Sequence, residues 1–268
     1  MHDGTARIAA ASGLRSRLPP QLRYHVPPMN RAPHLTRRHF LLLGWFSRRR
    51  ILTAAGIRFE LLRNGAPLRK FVLIHGDEST ARRVLLARMR DRRPGWAYLV
   101  THEERLVRLG ALRFDPNRIF SREGAERNLR DLNPAASEAD FELALAFFDR
   151  EREELVRALL PERGGVLIAL HNNREGYSVH TEIPISDRVA LNEPQRPHDF
   201  YLCTEPGDFD RLSRSPFNVV LQHRPPPPDD GSLSRLAARR NVRYVNIETL
   251  LGEEDKQRRM LAWLEDHL

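Results

Sequence analysis

From about Gly56 onward, short unbroken apolar runs alternate with stretches whose apolar residues recur at helical spacing. This alternation restricts the possible folds more than any other feature of the chain. The runs Lys70–Ile74, Trp96–Val100, Val166–Leu170, Phe200–Cys203 and Phe217–Leu221 read as strands buried on both faces, and Val242–Ile247 as the last strand. Between them, Ala81–Arg90 follows Ser79 or Thr80 as a cap, Ser137–Leu160 carries apolar residues at 141, 144, 145, 147, 148, 155, 159 and 160, and Glu253–Glu265 closes the chain. These three read as amphipathic helices. Strands alternating with helices predict an α/β sandwich: a mixed, largely parallel central sheet flanked by helices.

Composition narrows the functional classes. The formal charge of +9 is concentrated in residues 1–50, which hold ten arginines and one acid, Asp3. The remaining residues hold 34 basic and 34 acidic side chains, so the folded body is neutral and offers no nucleic-acid groove by charge. The reading is therefore a basic extension over residues 1–55, broken by Pro19, Pro20, Pro27, Pro28 and Pro33, and one α/β domain over 56–268. Arg37-Arg38 followed by His39-Phe40-Leu41-Leu42-Leu43 resembles a twin-arginine export signal, but Arg48, Arg49 and Arg50 interrupt the apolar run. The expectation is a cytoplasmic protein, with export as the alternative. No apolar run approaches the roughly 20 residues of a transmembrane helix. Cys203 is the only cysteine, which excludes a disulfide within the chain. The sequence lacks a G-x-S-x-G elbow, a Walker loop and a G-x-G-x-x-G turn, against serine hydrolase, P-loop and dinucleotide readings.

In open α/β sheets, ligands bind beyond the carboxyl ends of strands. At those ends stand His75-Gly76-Asp77-Glu78, then His171-Asn172-Asn173, then Glu248. Imidazole and carboxylate are zinc ligands at about 2.0–2.2 Å, and a three-residue step through a turn lets His75 and Glu78 converge on one point. His171 would complete a set of two histidines and one glutamate, with a fourth position open to water. Glu248 would then act as general base, with Glu205 as its rival. Taken alone, H-x-x-E is a short pattern, equally compatible with ordinary strand-end residues. His180 and Glu182, in the alternating stretch Tyr177–Glu182, read as a strand face open to solvent, with a place in the pocket lining as the alternative.

A further segment, Phe114-Asp115-Pro116-Asn117-Arg118-Ile119-Phe120, adds a pattern. I-H-G-D-E, then D-P-N-R-I-F, then a strand ending in histidine, then a late strand-end glutamate, together resemble the zinc carboxypeptidase superfamily. The nearest flavour is its succinylglutamate desuccinylase and aspartoacylase branch. The resemblance covers about residues 70–250 and implies a zinc carboxypeptidase-like sandwich. It implies Zn2+ on His75, Glu78 and His171, a substrate carboxylate gripped by Asn117 and Arg118, with Arg113 or Arg108 near a second family arginine, and Glu248 as base. The implied activity is hydrolysis of an amide bond in a small carboxylate-bearing substrate, an N-acyl amino acid or a peptide C-terminus. Ala169 stands where relatives often carry Asp, two residues before the third zinc histidine. The alternative reading is a non-catalytic binding or interaction protein on the same scaffold.

Overall fold

The computed structural model describes residues 50–268. Residues 1–49 of the expected basic extension, with the Arg37-Arg38 segment, lie outside the described residues, while residues 50–54, also assigned to that extension, form a strand that pairs with 57–61 of the domain. The chain forms β1 (Arg50–Ala54), β2 (Ile57–Asn64), β3 (Arg69–Leu73), α1 (Ser79–Arg90), β4 (Gly95–Val100), a small hairpin of β5 (Val107–Leu109) and β6 (Leu112–Phe114), and a 3-10 turn at Pro116–Arg118. There follow α2 (Arg122–Leu132), α3 (Glu138–Leu159), β7 (Val166–Asn173), α4 (Val179–Glu182), β8 (Arg188–Ala190), β9 (Phe200–Cys203), α5 (Pro206–Leu212), β10 (Asn218–Leu221), α6 (Leu233–Arg239), β11 (Tyr244–Leu250) and α7 (Glu254–His267). No helix among the described residues is long and apolar enough to cross a membrane.

Nine strands form one sheet in the order β1-β2-β4-β3-β7-β11-β9-β10-β8. The four strands β4, β3, β7 and β11 run parallel, while β9 lies antiparallel to β11. The fold is thus the mixed α/β sandwich that the pattern predicts. Alternation along the strands divides the apolar side chains between two cores. Phe71, Leu73, Val166, Ile168, Leu170, Val245 and Ile247 pack beneath α1, α5 and α7. Val72, Ile74, Leu167, Ala169 and Tyr244 pack beneath α2, α3 and α6.

Local chemistry explains the element ends. Ser137 and Asp140 form a capping box at the start of α3. At its other end, Lys70 Nζ donates to the carbonyls of Ala158 and Leu160, each at 2.8 Å, filling acceptors that the last helical turn leaves unpaired. The second core face is pinned by Arg88 on α1, whose Nε and guanidinium nitrogen lie 2.9 and 2.7 Å from Glu265 Oε1 on α7. Both side chains are buried. Removing one member of a buried pair leaves an uncompensated charge. Glu265→Ala is therefore expected to lower unfolding stability by about 3 kcal/mol, while Glu138→Ala, at an exposed pair, is expected to leave it little changed, both read from urea unfolding.

Candidate metal centre

After β3 the chain passes through Ile74-His75-Gly76-Asp77-Glu78 into the start of α1. This turn is pressed against the loop that follows β4. The Gly76 amide donates to the Glu104 carbonyl at 3.1 Å, and a Cβ at Gly76 would stand 2.2 Å from the His102 carbonyl oxygen. Only glycine permits that approach. The tight turn folds His75 back onto Glu78, with Nδ1 2.8 Å from Oε1. His171, near the end of β7, brings its Nδ1 to 3.1 Å from the same oxygen. One ligand atom from each of the three residues lies within 4.8 Å of the others, and all three side chains are buried.

Glu78 is the N-cap residue of α1, where unpaired amides and the helix dipole favour an anion. Its side chain makes no capping bond, and neither Ser79 nor Thr80 caps the helix as the sequence suggested. The Asn172 carboxamide oxygen instead accepts from the Ala81 amide at 2.8 Å, so the residue after His171 ties β7 to the helix start. Thr80 Oγ accepts from the Gly252 amide at 2.9 Å.

His75 is gripped from both sides, since its Nε2 lies 2.8 Å from Asp115 Oδ1. Asp115 is itself fixed: its amide donates to Asn128, and its Oδ1 caps the 3-10 turn by accepting from the Asn117 amide. A ring whose second nitrogen is held by a carboxylate is the usual arrangement of a metal-binding histidine. Burial disfavours the charged form of His75, but Glu78 and Asp115 outweigh it and raise its pKa to about 9. Burial likewise opposes the Glu78 carboxylate, yet His171 and His75 hold its pKa down to about 2. The second oxygen of Glu78 is buried without a hydrogen-bond partner, an acceptor that a cation would satisfy. On donor type, burial and that orphaned oxygen, the three residues fit a metal ion.

Glu248 lies within β11, not beyond it, as the register partner of His171 across the parallel β7–β11 pair. The Asn246 amide group donates to its Oε1 at 3.0 Å and Asn173 to its Oε2 at 3.3 Å. Burial is the main cause of a pKa raised to about 7, with His171 opposing and Glu78 and Glu182 adding to the rise. Glu205 is the N-cap residue of α5. Because β9 runs antiparallel to β11, with Cys203 opposite Val245 and Phe200 opposite Glu248, Glu205 emerges at the other edge of the sheet.

These groups open onto a cavity of about 540 Å³ that is also lined by Asn117, Arg118 and Arg105. Asn117 accepts from the Leu233 amide, and Arg118 lies 3.4 Å from Asp230. The frame around Arg118 is backbone on backbone: Gly231 has φ +76°, its carbonyl accepts from Phe120, and a Cβ there would stand 2.2 Å from the Arg118 carbonyl. A Cβ at Gly124 would stand 2.2 Å from the Gly231 nitrogen. Arg113 does not line the cavity. It projects from the exposed side of β6 and donates to the Leu132 carbonyl at 3.2 Å, because strand alternation turns it away from Leu112 and Phe114. The arginine that does reach the cluster is Arg105, 3.2 Å from Asp115 and 3.6 Å from Glu78. Sequence reasoning misses Arg105 and Asp115. The first lies in a loop without pattern, and the second signals only a turn cap. Tyr177 and Glu182 also line the cavity, and the segment at 179–182 is helical rather than a strand face; His180 is exposed on it.

No family model matches the chain, and no curated protein matches it significantly. Among solved structures, the chain is similar to three proteins provisionally described as metallopeptidases. The one from Shewanella denitrificans OS217 is 16% identical, with 82% of each chain covered and a TM-score of 0.43. Those from Shewanella baltica OS155 and Shewanella amazonensis SB2B are each 14% identical, with TM-scores of 0.42 and 0.41; 81% and 82% of this chain and 84% of each of theirs are covered.

Proposed function

We propose that the protein is a metal-dependent hydrolase of an amide bond in a small carboxylate-bearing substrate, an N-acyl amino acid or a peptide C-terminus. The single observation that supports this reading most is the buried His75–Glu78–His171 group beside a buried carboxyl group, Glu248, in one cavity. His75, Glu78 and His171 would hold the ion, with Zn2+ preferred for two imidazoles and one carboxylate. When bound, such an ion supplies Lewis acidity, acidifying water and polarising a carbonyl. Glu248 takes a proton from the attacking water on a carboxylate oxygen and passes it to the departing nitrogen as the C–N bond breaks. Asn246 and Asn173 hold that carboxylate in place through their amide groups. Arg105 stabilises negative charge developing on the carbonyl oxygen. Arg118, a planar donor fork, binds and orients the substrate carboxylate.

Elemental analysis of untagged protein, purified without chelator, is expected to find close to one zinc per chain, lost in His171→Ala. Metal affinity rises with pH toward about 9, because a proton on His75 competes with the ion. Hydrolysis of N-acyl amino acids and short peptides is expected to fall at least about 100-fold in His75→Ala and in Glu248→Gln. Full activity in both variants sinks the proposal.

Glu248 also gives a stability signature in protein stripped of divalent ions. Its carboxyl group holds a proton up to about pH 7 when folded, against an ordinary value of 4.5. The folded state then binds more protons than the unfolded state, so the contribution of Glu248 to stability falls as pH rises between those values. Glu248→Gln removes this loss. The variant is expected to match the wild type below pH 4.5 and to exceed it by up to roughly 3 kcal/mol above pH 7, measured by urea unfolding across pH.

A further inference from the structure

Of the charged groups that line the cavity without a part in the chemistry proposed above, Glu182 is the carboxylate held on both oxygens by neutral donors. Glu182 ends α4, and both its oxygens are held: Tyr177 Oη donates to Oε1 at 2.8 Å and Gln222 Nε2 donates to Oε2 at 2.5 Å. Both donors are neutral, and Glu182 forms no ion pair among the described residues, so the carboxylate is fixed in direction without a paired cation. The Tyr177 phenol stays protonated, because burial, then Glu248 and Glu182, push its pKa well above the ordinary value. Its ring packs on Phe200, with centroids 6.0 Å apart, which holds the donor still. The walls that Ile185 and Leu202 contribute to the same cavity are apolar. An oriented carboxylate in a wall that also carries two aliphatic side chains is complementary to an aliphatic stem tipped with a cation.

We propose that Glu182 sets substrate specificity, selecting an amino acid whose side chain is an aliphatic stem ending in an ammonium or guanidinium group, its α-carboxylate held by Arg118. This rests on the hydrolase reading and names the substrate class for it. A cationic tip completes a charge pair in a partly desolvated wall. A neutral tip of equal size leaves the carboxylate without a counter-charge, and an acidic tip adds repulsion. In the sequence, pocket lining is only the lesser reading of Glu182, because the stretch around it alternates like a solvated strand.

The deciding measurement is calorimetric binding of free lysine, norleucine, arginine and citrulline to the zinc-loaded full chain. Lysine is expected to bind at least about tenfold tighter than norleucine, and arginine than citrulline. In Glu182→Gln each ratio is expected to fall to near one. Equal binding of charged and neutral partners by the wild type overturns the inference. So does a Glu182→Gln protein in which all four ligands weaken alike, the mark of a structural role. The hydrolase reading is read separately, by cleavage of peptides ending in lysine or leucine. Cleavage without preference leaves the hydrolase standing and removes the role of Glu182. Lysine preference in binding, without cleavage, supports the role of Glu182 and counts against the hydrolase.

Discussion

The parallel pairing of β7 with β11 sets the geometry on which the site depends. Residues in register across a pair share a face, so His171 and Glu248 are side by side because Leu170 pairs Ile247 and Ala169 pairs Asn246. That register is held by apolar alternation on two faces at once. Val166, Ile168, Leu170, Val245 and Ile247 fill one core, while Leu167, Ala169 and Tyr244 fill the other. A slip of one residue in β11 would carry Asn246 and Glu248 to the α7 side. The spacing between His171 and Glu248 is thus set by ordinary hydrophobic packing, many side chains away from either.

Around this pair, charges are buried in opposing sets. Glu78 sits between two histidines, His75 between two carboxylates, and Asp115 between His75 and Arg105. His75, Glu78 and Asp115 are each shifted toward the charged form against the pull of burial. Glu248 differs, because its hydrogen bonds come from neutral amide groups. Desolvation prevails there, and the carboxyl group sits near neutrality, where a proton carrier is most useful. The contrast between two glutamates in one cavity follows from what surrounds them.

Much of this was legible in the sequence. The alternation of runs and helical stretches carried the layered fold, and strand-end polar residues carried His75, Glu78, His171 and Glu248 to one place. Asn117 and Arg118 came from the resemblance and also reach the cavity. What stayed hidden depends on strand direction and on loops. The reversal of β9, which sends Glu205 to the far edge, has no signature in a run as short as Phe-Tyr-Leu-Cys. The expectation for Arg113 rested on nearness in sequence, whereas a strand points adjacent residues to opposite sides. The helix at Val179–Glu182 is a single turn, too short for its apolar period to show. Ala169 reads as a loss in a one-dimensional pattern. In space its register partner is Asn246, so a polar group stands on the next strand and reaches Glu248.

The contact of Gly231 with Gly124 and the Arg118 carbonyl bears on how this protein can evolve. The seat of the arginine is made where main chain rests on main chain, with the Asp229 and Asp230 carboxylates accepting from the Gly231 and Ser232 amides. At Gly231 and Gly124 the smallest added side chain would collide with backbone. Tolerance at these two positions is therefore abrupt: a lineage could lose the seat through a single methyl group.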